Sequence, residues 1–122
     1  MPIAVVVDNN PQELQQTVCQ LKESGVFTAI NSFRDSLEAI KYIELHSCDI
    51  VFTEVEMVGV NGFDFIRRVG INHTDILIVF VTNKSNYALQ AFEYDTADFI
   101  MKPVDKESIK RVMKRFKGNH IR

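Results

Sequence analysis

The chain has 122 residues, which suits a single domain with one hydrophobic core. Its formal net charge of −2 predicts no direct contact with nucleic acid or anionic lipid, because modules that bind them usually carry a basic face. No apolar run approaches the roughly 20 residues that cross a bilayer, and no secretory leader opens the chain. We therefore expect a cytoplasmic protein without membrane association, with Cys19 and Cys48 as reduced, buried thiols.

The first half of the chain contains three apolar runs separated by helical patterns. The run at 3–7 has no polar alternation, which is typical of a strand covered on both faces in a parallel sheet. A helix with a start signal at 9–11 and an end at Gly25 follows it. A weaker strand is predicted at 27–32 and a third strand at 50–52, with a helix between them. The apolar residues expected on the inner faces of these helices are Leu14, Val18, Leu21, Leu37, Ile40 and Ile43.

The second half continues the alternation. A third helix is predicted from Gly62, and the β-branched run at 76–81 is typical of a central strand. A fourth helix at about 85–94 precedes a fifth strand at 97–101, and Asp105 is a candidate cap for the last helix. The expected inner-face residues are Phe65, Ile66, Val69, Ala88, Ala91, Phe92, Ile109, Val112, Met113 and Phe116.

Polar side chains stand where four of the apolar runs stop: Asp8, Glu54, Thr82 and Lys102. Strands that alternate with helices predict a parallel sheet, and the carboxyl ends of its strands converge on one crevice. Two carboxylates there could hold Mg²⁺, and a carboxylate beside that ion could accept a phosphoryl group. A threonine hydroxyl and a lysine ammonium could bind the phosphoryl oxygens.

Several segments occur in a specific order and spacing, and together they make the chain resemble the receiver domains of two-component response regulators. These segments are 5–9, 49–62, 81–82 and 97–103, while 87–92 resembles receivers that precede LytTR-type DNA-binding domains. The resemblance implies a flavodoxin-like (CheY-like), doubly wound, three-layer α/β sandwich with five helices. Its five-stranded parallel sheet would have the order 2-1-3-4-5. We expect a receiver domain over 1–118, with 119–122 as a tail or the start of a linker.

The resemblance also implies roles for individual residues. In typical receivers an Asp at the end of the third strand accepts the phosphoryl group, and an acidic pair after the first strand helps to hold Mg²⁺. A Thr or Ser and a Lys contact the phosphoryl group, and an aromatic residue of the fifth strand changes rotamer with the Thr. Thr82, Lys102 and Phe99 match the last three roles. Glu54 stands at the acceptor position, however, and Asn9 replaces the second acid.

Both departures weaken the phosphoryl chemistry. Glu54 carries its carboxylate one methylene farther from the backbone, a shift of about 1 Å that costs roughly 10²-fold where geometry is strict. Asn9 offers a neutral carbonyl, so the attraction for Mg²⁺ falls, and a weak cation site remains with Asp8, Glu54 and Glu56 as candidate ligands. The hypothesis is a divergent receiver without an ordinary phosphorylation cycle. Glu54 then either imitates a phosphorylated Asp in part or is an inert acid.

Partners follow from the resemblance as well. A histidine kinase would supply the phosphoryl group if the domain accepts one. The outer face of the fourth helix, fifth strand and fifth helix is the expected surface for a protein partner or a homodimer, and the residues expected there are Tyr87, Gln90, Tyr94 and Phe99.

Two further functions stay open. The chain could be the N-terminal regulatory half of a DNA-binding transcriptional regulator, as the 87–92 segment suggests. It could also be a small phosphatase-like enzyme or a nucleotide-binding protein. The chain has no glycine-rich phosphate-binding loop, and a phosphatase meets the same objection at Glu54, so we predict no enzyme activity.

Overall fold

The computed structural model describes residues 2–72, 75–93 and 97–120. One parallel sheet contains five strands, which are β1 (Ile3–Val7), β2 (Ala29–Phe33), β3 (Ile50–Thr53), β4 (Leu77–Thr82) and β5 (Ala97–Met101). Their order across the sheet is β2-β1-β3-β4-β5, as the resemblance to receiver domains implied. The apolar runs form these strands because they have helices on both faces and can be buried throughout.

Five helices cover the sheet, and they are α1 (Pro11–Ser24), α2 (Ser36–Leu45), α3 (Gly62–Asn72), α4 (Ala88–Ala91) and α5 (Lys106–His120). A hydrophobic cluster on one face packs α2, α3 and α4 against alternate strand residues such as Val51, Ile78 and Phe80. A second cluster packs α1 and α5 against the other residues, including Phe52 and Val79. The chain is thus a three-layer α/β sandwich, and α5 continues two residues beyond the predicted domain limit at 118.

The backbone fixes the residues that follow the strands at one edge of the sheet. Val7 of β1 lies opposite Thr53 of β3, and the amide of Glu54 donates to the carbonyl oxygen of Val7 at 3.0 Å. The amide of Lys102 donates to the carbonyl oxygen of Thr82 at 2.8 Å. These main-chain bonds fix Glu54 beside the end of β1 and Lys102 beside the end of β4, at the same edge of the sheet.

Local signals in the sequence position α1. Asn10 caps this helix, and its side-chain oxygen accepts from the amides of Gln12 and Glu13, each at 3.0 Å. Pro11 occupies the first turn, where its missing N–H removes no helical hydrogen bond. Gly25 ends the helix at φ 71°, a left-handed conformation that glycine adopts without strain. These signals fix the direction in which α1 leaves the edge of the sheet.

The fourth helix is shorter than predicted. In place of a helix over 85–94, a 3₁₀ turn (Ser85–Tyr87) leads into the single turn of α4, and Lys84 at its start makes no side-chain capping bond. Phe92 was predicted to face inward but is 61% exposed, because it lies past the last helical residue. Leu37, also predicted inward, is 45% exposed in the first turn of α2. The other inner-face predictions hold, with Val18 and Ala88 only partly buried.

The two cysteines differ from the expectation of buried thiols. Cys19 is exposed, because the inner face of α1 is occupied by Leu14, Thr17 and Leu21. Cys48 is partly buried, and burial raises the pKa of its thiol to about 12 although a hydrogen bond to the carbonyl of Ile50 opposes the shift. Both thiols are free. Across the described ranges, no helix has the length and apolar content to cross a bilayer.

Candidate functional site

Lys102 occupies the centre of the site. Its ammonium donates to Asp8 Oδ2 and to Glu54 Oε1, each at 2.8 Å, and to Glu13 Oε1 at 3.2 Å. The Lys102 side chain is only 9% exposed, and those of Asp8 and Glu54 are similarly buried. The structure thus brings together three of the four strand-end residues that the sequence indicated, from β1, β3 and β5.

Opposing effects act on the charge of Lys102. Burial alone lowers the pKa of its ammonium, but hydrogen bonds and charge attraction from Asp8 and Glu54 outweigh burial and raise it above the ordinary lysine value. The lysine is therefore fully protonated at neutral pH. Three carboxylates face this one cation, so the site has an excess of negative charge.

Both oxygens of Glu54 are engaged. While Oε1 accepts from Lys102, Oε2 accepts from the amide of Val55 at 2.6 Å and from the amide of Glu56 at 3.3 Å. The extra methylene of glutamate lets the carboxylate fold back onto the loop that follows β3. Glu54 therefore connects the lysine at the end of β5 to the backbone of its own loop.

Gly62 lets this loop pass against the start of α3. Its amide donates to the carbonyl oxygen of Val55 at 2.8 Å. A Cβ atom at residue 62 would lie 2.7 Å from the carbonyl oxygen of Glu54 and 2.9 Å from the Cα of Val55, closer than real side chains approach. Residue 62 therefore packs closely against this backbone, and its lack of a side chain fixes the loop that holds Glu54.

Thr82 at the end of β4 and Phe99 within β5 are the other two expected site residues. Thr82 is buried, and its hydroxyl oxygen accepts from the amide of Lys84 at 3.4 Å. Within the described residues, no hydrogen bond joins this hydroxyl to the side chains of Glu54 or Lys102. Phe99 is 7% exposed, lies opposite Phe80 in the sheet, and belongs to the hydrophobic cluster beneath α4. Phe99 therefore packs inward here.

Glu56 and Asn9 lie outside the central group. The Glu56 carboxylate binds the ammonium of Lys84 at 2.7 Å and the hydroxyl of Tyr87 at 2.8 Å. The hydrogen bond from Lys84, followed by that from Tyr87, lowers the pKa of Glu56. Asn9 is exposed and lines a neighbouring cleft of about 610 Å³ together with Glu56 and Tyr87.

This arrangement fits a Mg²⁺ site poorly. Mg²⁺ prefers oxygen ligands in near-octahedral geometry, but Asp8 and Glu54 both direct an oxygen at the Lys102 ammonium, and Glu56 is paired elsewhere. In the part of the chain that the structure describes, no group of three or more His, Cys, Asp or Glu side chains is arranged to hold a metal ion. The weak magnesium site therefore stays a prediction.

Sequence reasoning missed two participants. Glu13 lies in the first turn of α1, three residues after the Asn10 cap. Acidic side chains are common there because they interact favourably with the positive end of the helix dipole. The contact of Glu13 with Lys102 depends on how α1 leaves β1, which local sequence does not reveal. Lys84 was missed in the same way, because its partner Glu56 lies on a different loop.

The expected partner surface is only partly as predicted. Gln90 is exposed, Tyr87 is partly buried, and the buried Phe99 does not contribute an exposed ring. Tyr94 lies outside the described residues. Three large apolar side chains are exposed instead: Leu89 of α4, Phe92 directly after α4, and Met101 of β5, which are 85%, 61% and 44% exposed.

Comparison with known proteins identifies the family. Residues 4–114 match the response regulator receiver domain family. The chain belongs to this family. The receiver domain is 32% identical over 117 residues to an uncharacterized response regulatory protein of Vibrio vulnificus, covering 94% of this chain and 47% of that protein. It is 31% identical over 113 residues to the sensory transduction protein LytT of Bacillus subtilis, covering 93% and 47% of the two chains.

Solved structures share the fold of this receiver domain. The chemotaxis response regulator CheY4 of Vibrio cholerae superposes with a TM-score of 0.80 at 18% identity, covering 95% of this chain and 98% of that one. The response regulatory domain of protein mrkE from Klebsiella pneumoniae gives a TM-score of 0.81 at 20% identity, with 95% of each chain covered. The predicted CheY-like, flavodoxin-like fold is thus confirmed.

The receiver domain spans about half the length of the curated relatives that it matches. These relatives include the transcriptional regulatory protein LytR of Staphylococcus aureus, which is 26% identical over 115 residues, covering 94% of this chain and 47% of that protein. The resemblance to LytTR-type receivers is therefore confirmed, and the receiver domain is a module of two-component signalling.

Proposed function

We propose that this receiver domain does not run an ordinary phosphorylation cycle and acts through protein contacts. The observation that carries the proposal is the state of Glu54, whose two carboxylate oxygens are held by the Lys102 ammonium and by the amides of Val55 and Glu56. By resemblance, a phosphorylated Asp would present its phosphoryl oxygens to the same lysine. Glu54 thus imitates part of the phosphorylated state with its own side chain.

The imitation is incomplete. A carboxylate has less charge and fewer acceptor oxygens than a phosphoryl group, so it makes fewer hydrogen bonds. Thr82, the expected phosphoryl contact, donates no hydrogen bond to Glu54 within the described residues. We therefore propose a switch that is held near one state, with only part of the change that phosphorylation would produce.

Phosphoryl transfer to Glu54 has two physical obstacles. The reaction depends on a well-positioned nucleophile and on neutralised charge, and neither Glu54 oxygen is free in this arrangement. The three carboxylates would also repel an incoming phosphoryl donor unless a cation screens them, and we propose that Mg²⁺ binds here weakly or not at all.

The test is to incubate the protein with Mg²⁺ and a small-molecule phosphodonor and to measure intact mass. The wild type is expected to show no stable adduct. Glu54→Asp restores the usual length of the acceptor side chain. The double variant Asn9→Asp with Glu54→Asp also restores the acidic pair. A phosphoryl adduct on the double variant would show that the assay detects phosphoryl acceptance. A stable wild-type adduct that disappears in Glu54→Gln would overturn the proposal.

The proposal extends to compartment and partners. The module would act in the cytoplasm without enzyme activity of its own. A histidine kinase would be its phosphoryl donor only if acceptance occurs. Homodimerisation or binding to another protein would use the face of α4 and β5, where Leu89, Phe92 and Met101 are exposed and Gln90 lies beside them.

A second candidate function is the regulatory half of a DNA-binding transcriptional regulator. Its support is the length of the relatives, which are about twice as long as this chain, and the name of one of them, a transcriptional regulatory protein. The full reading frame of the gene decides between the two, because a DNA-binding region after residue 122 would favour the regulator, and its absence would favour a free-standing module.

A further inference from the structure

A polar group on the surface joins the loop after β3 to the start of α4. We name it the Glu56 clamp and define it as Glu56, Lys84 and Tyr87. One carboxylate oxygen of Glu56 accepts from the Lys84 ammonium at 2.7 Å, and the other accepts from the Tyr87 hydroxyl at 2.8 Å. Glu56 and Tyr87 both line the 610 Å³ cleft, so the clamp lies at this cleft.

Apart from the polar contacts of the clamp, the α4 segment is anchored by the Tyr87 ring, whose centroid lies 5.9 Å from that of Phe63, and by the partly buried Ala88. The segment consists of a 3₁₀ turn and one α-helical turn, and no side chain caps its start. Ala91 is its one fully buried side chain among the described residues, while Leu89 and Phe92 are largely exposed. A segment with so little buried apolar surface opens at low free energy. Polar contacts at its start therefore have a large share in positioning it.

The clamp is also connected to the substituted acceptor position. Glu54 Oε2 accepts from the amide of Glu56, so the carboxylate at position 54 holds the backbone of the residue that supplies the clamp. Lys84 is held from two sides, because its amide donates to the Thr82 hydroxyl while its ammonium contacts Glu56. The contacts run without a break from Lys102 through Glu54 to α4.

We propose that the Glu56 clamp is a conformational device that transmits the state of residue 54 to the α4 surface along the outside of the domain. This inference rests on the proposed function, because it takes Glu54 itself, rather than a phosphoryl group, as the holder of the loop. Thr82 and Phe99 are packed in the interior, and the route through the clamp does not require either of them to move.

The charge state of the clamp agrees with this role. The hydrogen bonds from Lys84 and Tyr87 lower the pKa of the Glu56 carboxyl, and the hydrogen bond to Glu56 raises the pKa of Lys84. Glu56 is therefore ionised and Lys84 protonated throughout the neutral range. Because Glu56 and Lys84 are about half exposed and Tyr87 is only partly buried, each contact is modest by itself, and the clamp depends on the three acting as a unit.

The first experiment measures amide hydrogen exchange and amide chemical shifts of Leu89 and Phe92 in Glu56→Gln, Tyr87→Phe and the double variant. Each single change is expected to speed exchange of these amides roughly two- to five-fold, the size expected for an exposed polar pair. The double variant should add little, since both changes break one unit. Glu44→Gln on α2 is the matched control. Equal effects of Glu56→Gln and Glu44→Gln would overturn the clamp.

The second experiment tests the coupling to residue 54. Glu54→Ala is expected to shift the Leu89 and Phe92 resonances in the wild-type background and to have at most half that effect when Glu56→Gln is also present. An undiminished effect in the double variant would show that the signal bypasses the clamp. Both experiments use unphosphorylated protein. A phosphoryl adduct on wild-type Glu54 would therefore refute the proposed function while leaving the clamp result to stand by itself.

Discussion

At the residue scale, the site depends on one lysine. Lys102 contacts three carboxylates, and its side chain and those of Asp8 and Glu54 are largely removed from water. Buried charges are costly unless they are paired and hydrogen-bonded. The lysine therefore does more for stability than an exposed lysine does, because it makes the burial of two carboxylates tolerable.

We predict that Lys102→Met destabilises the domain by on the order of 3 kcal/mol, because Asp8 and Glu54 would keep their burial and lose their partner. Urea unfolding of the variant and the wild type at neutral pH measures this loss. Lys41→Met is the control, since Lys41 is exposed and its replacement should change stability by less than about 0.5 kcal/mol. Equal stability of the two variants would contradict the buried pairing.

The contribution of Lys102 to the free energy of unfolding depends on pH in a defined range. Its pKa in the folded protein is above the ordinary value of 10.5, so its stabilisation is complete below pH 10.5 and is lost as the pH rises through the folded-state pKa. The stability difference between the wild type and Lys102→Met should consequently narrow only in strongly alkaline solution.

Residue-level prediction from sequence succeeded where backbone geometry decides the outcome. The ends of parallel strands must converge, so the meeting of Asp8, Glu54 and Lys102 could be foreseen. The contacts of Glu13 and Glu56 could not be foreseen. The direction of a side chain on a helix turn or loop depends on the tertiary structure around it, which local sequence does not reveal.

At the scale of single elements, the start of α3 is the most constrained point. Gly62→Ala would place a methyl group 2.7 Å from the carbonyl oxygen of Glu54, and backbone cannot yield as a flexible side chain can. We predict a loss of about 1–3 kcal/mol in unfolding free energy, together with shifted amide resonances in the loop of Val55 and Glu56.

Gly70, in the same helix, is the matched control. A Cβ atom there meets nothing within 4 Å, and alanine is the better helix former. Gly70→Ala should therefore raise the unfolding free energy by about 0.5–1 kcal/mol. A neutral Gly62→Ala beside a stabilising Gly70→Ala would mean that the loop after β3 adapts freely.

The cap of α5 has its own pH dependence. Asp105 accepts from the Ser108 amide at 2.8 Å, and the Ser108 hydroxyl accepts from the Asp105 amide at 3.0 Å. The hydrogen bond from the Ser108 amide to the carboxylate is the largest cause that lowers the pKa of Asp105 below its ordinary 3.8. Its stabilisation is therefore present above pH 3.8 and is lost as the pH falls through the lowered value. The melting temperature can be measured by circular dichroism. As the pH drops below about 4, it should fall less in Asp105→Asn than in the wild type.

Sequence patterns predicted the strands of the sheet better than they predicted the fourth helix. The bounds of β1 and β5 were predicted without error, because uninterrupted apolar runs fit a strand buried on both faces. The helix at 85–94 was predicted too long, since Lys84 provides no cap and the inward spacing stops at Ala91.

At the scale of the whole molecule, the exposed apolar groups of α4 and β5 form the best candidate for self-association. We predict that Leu89→Ser combined with Phe92→Ser lowers the dimer fraction, because both side chains are mostly exposed. Light scattering over a concentration series measures the mass. Leu45→Ser is the control, since Leu45 is 79% exposed on α2, away from that face. A wild type that stays monomeric at the highest concentration would rule out dimerisation there.

The two cysteines differ in exposure, and this difference allows one of them to be labelled selectively in solution. Cys19 lies open on α1, whereas burial holds the Cys48 sulfur in its protonated, unreactive form. A maleimide dye added at neutral pH should therefore attach at one defined position without any engineered cysteine. The native chain thus accepts a single fluorescent reporter on the side of the sheet opposite α3, where the label would not touch the Glu56 clamp.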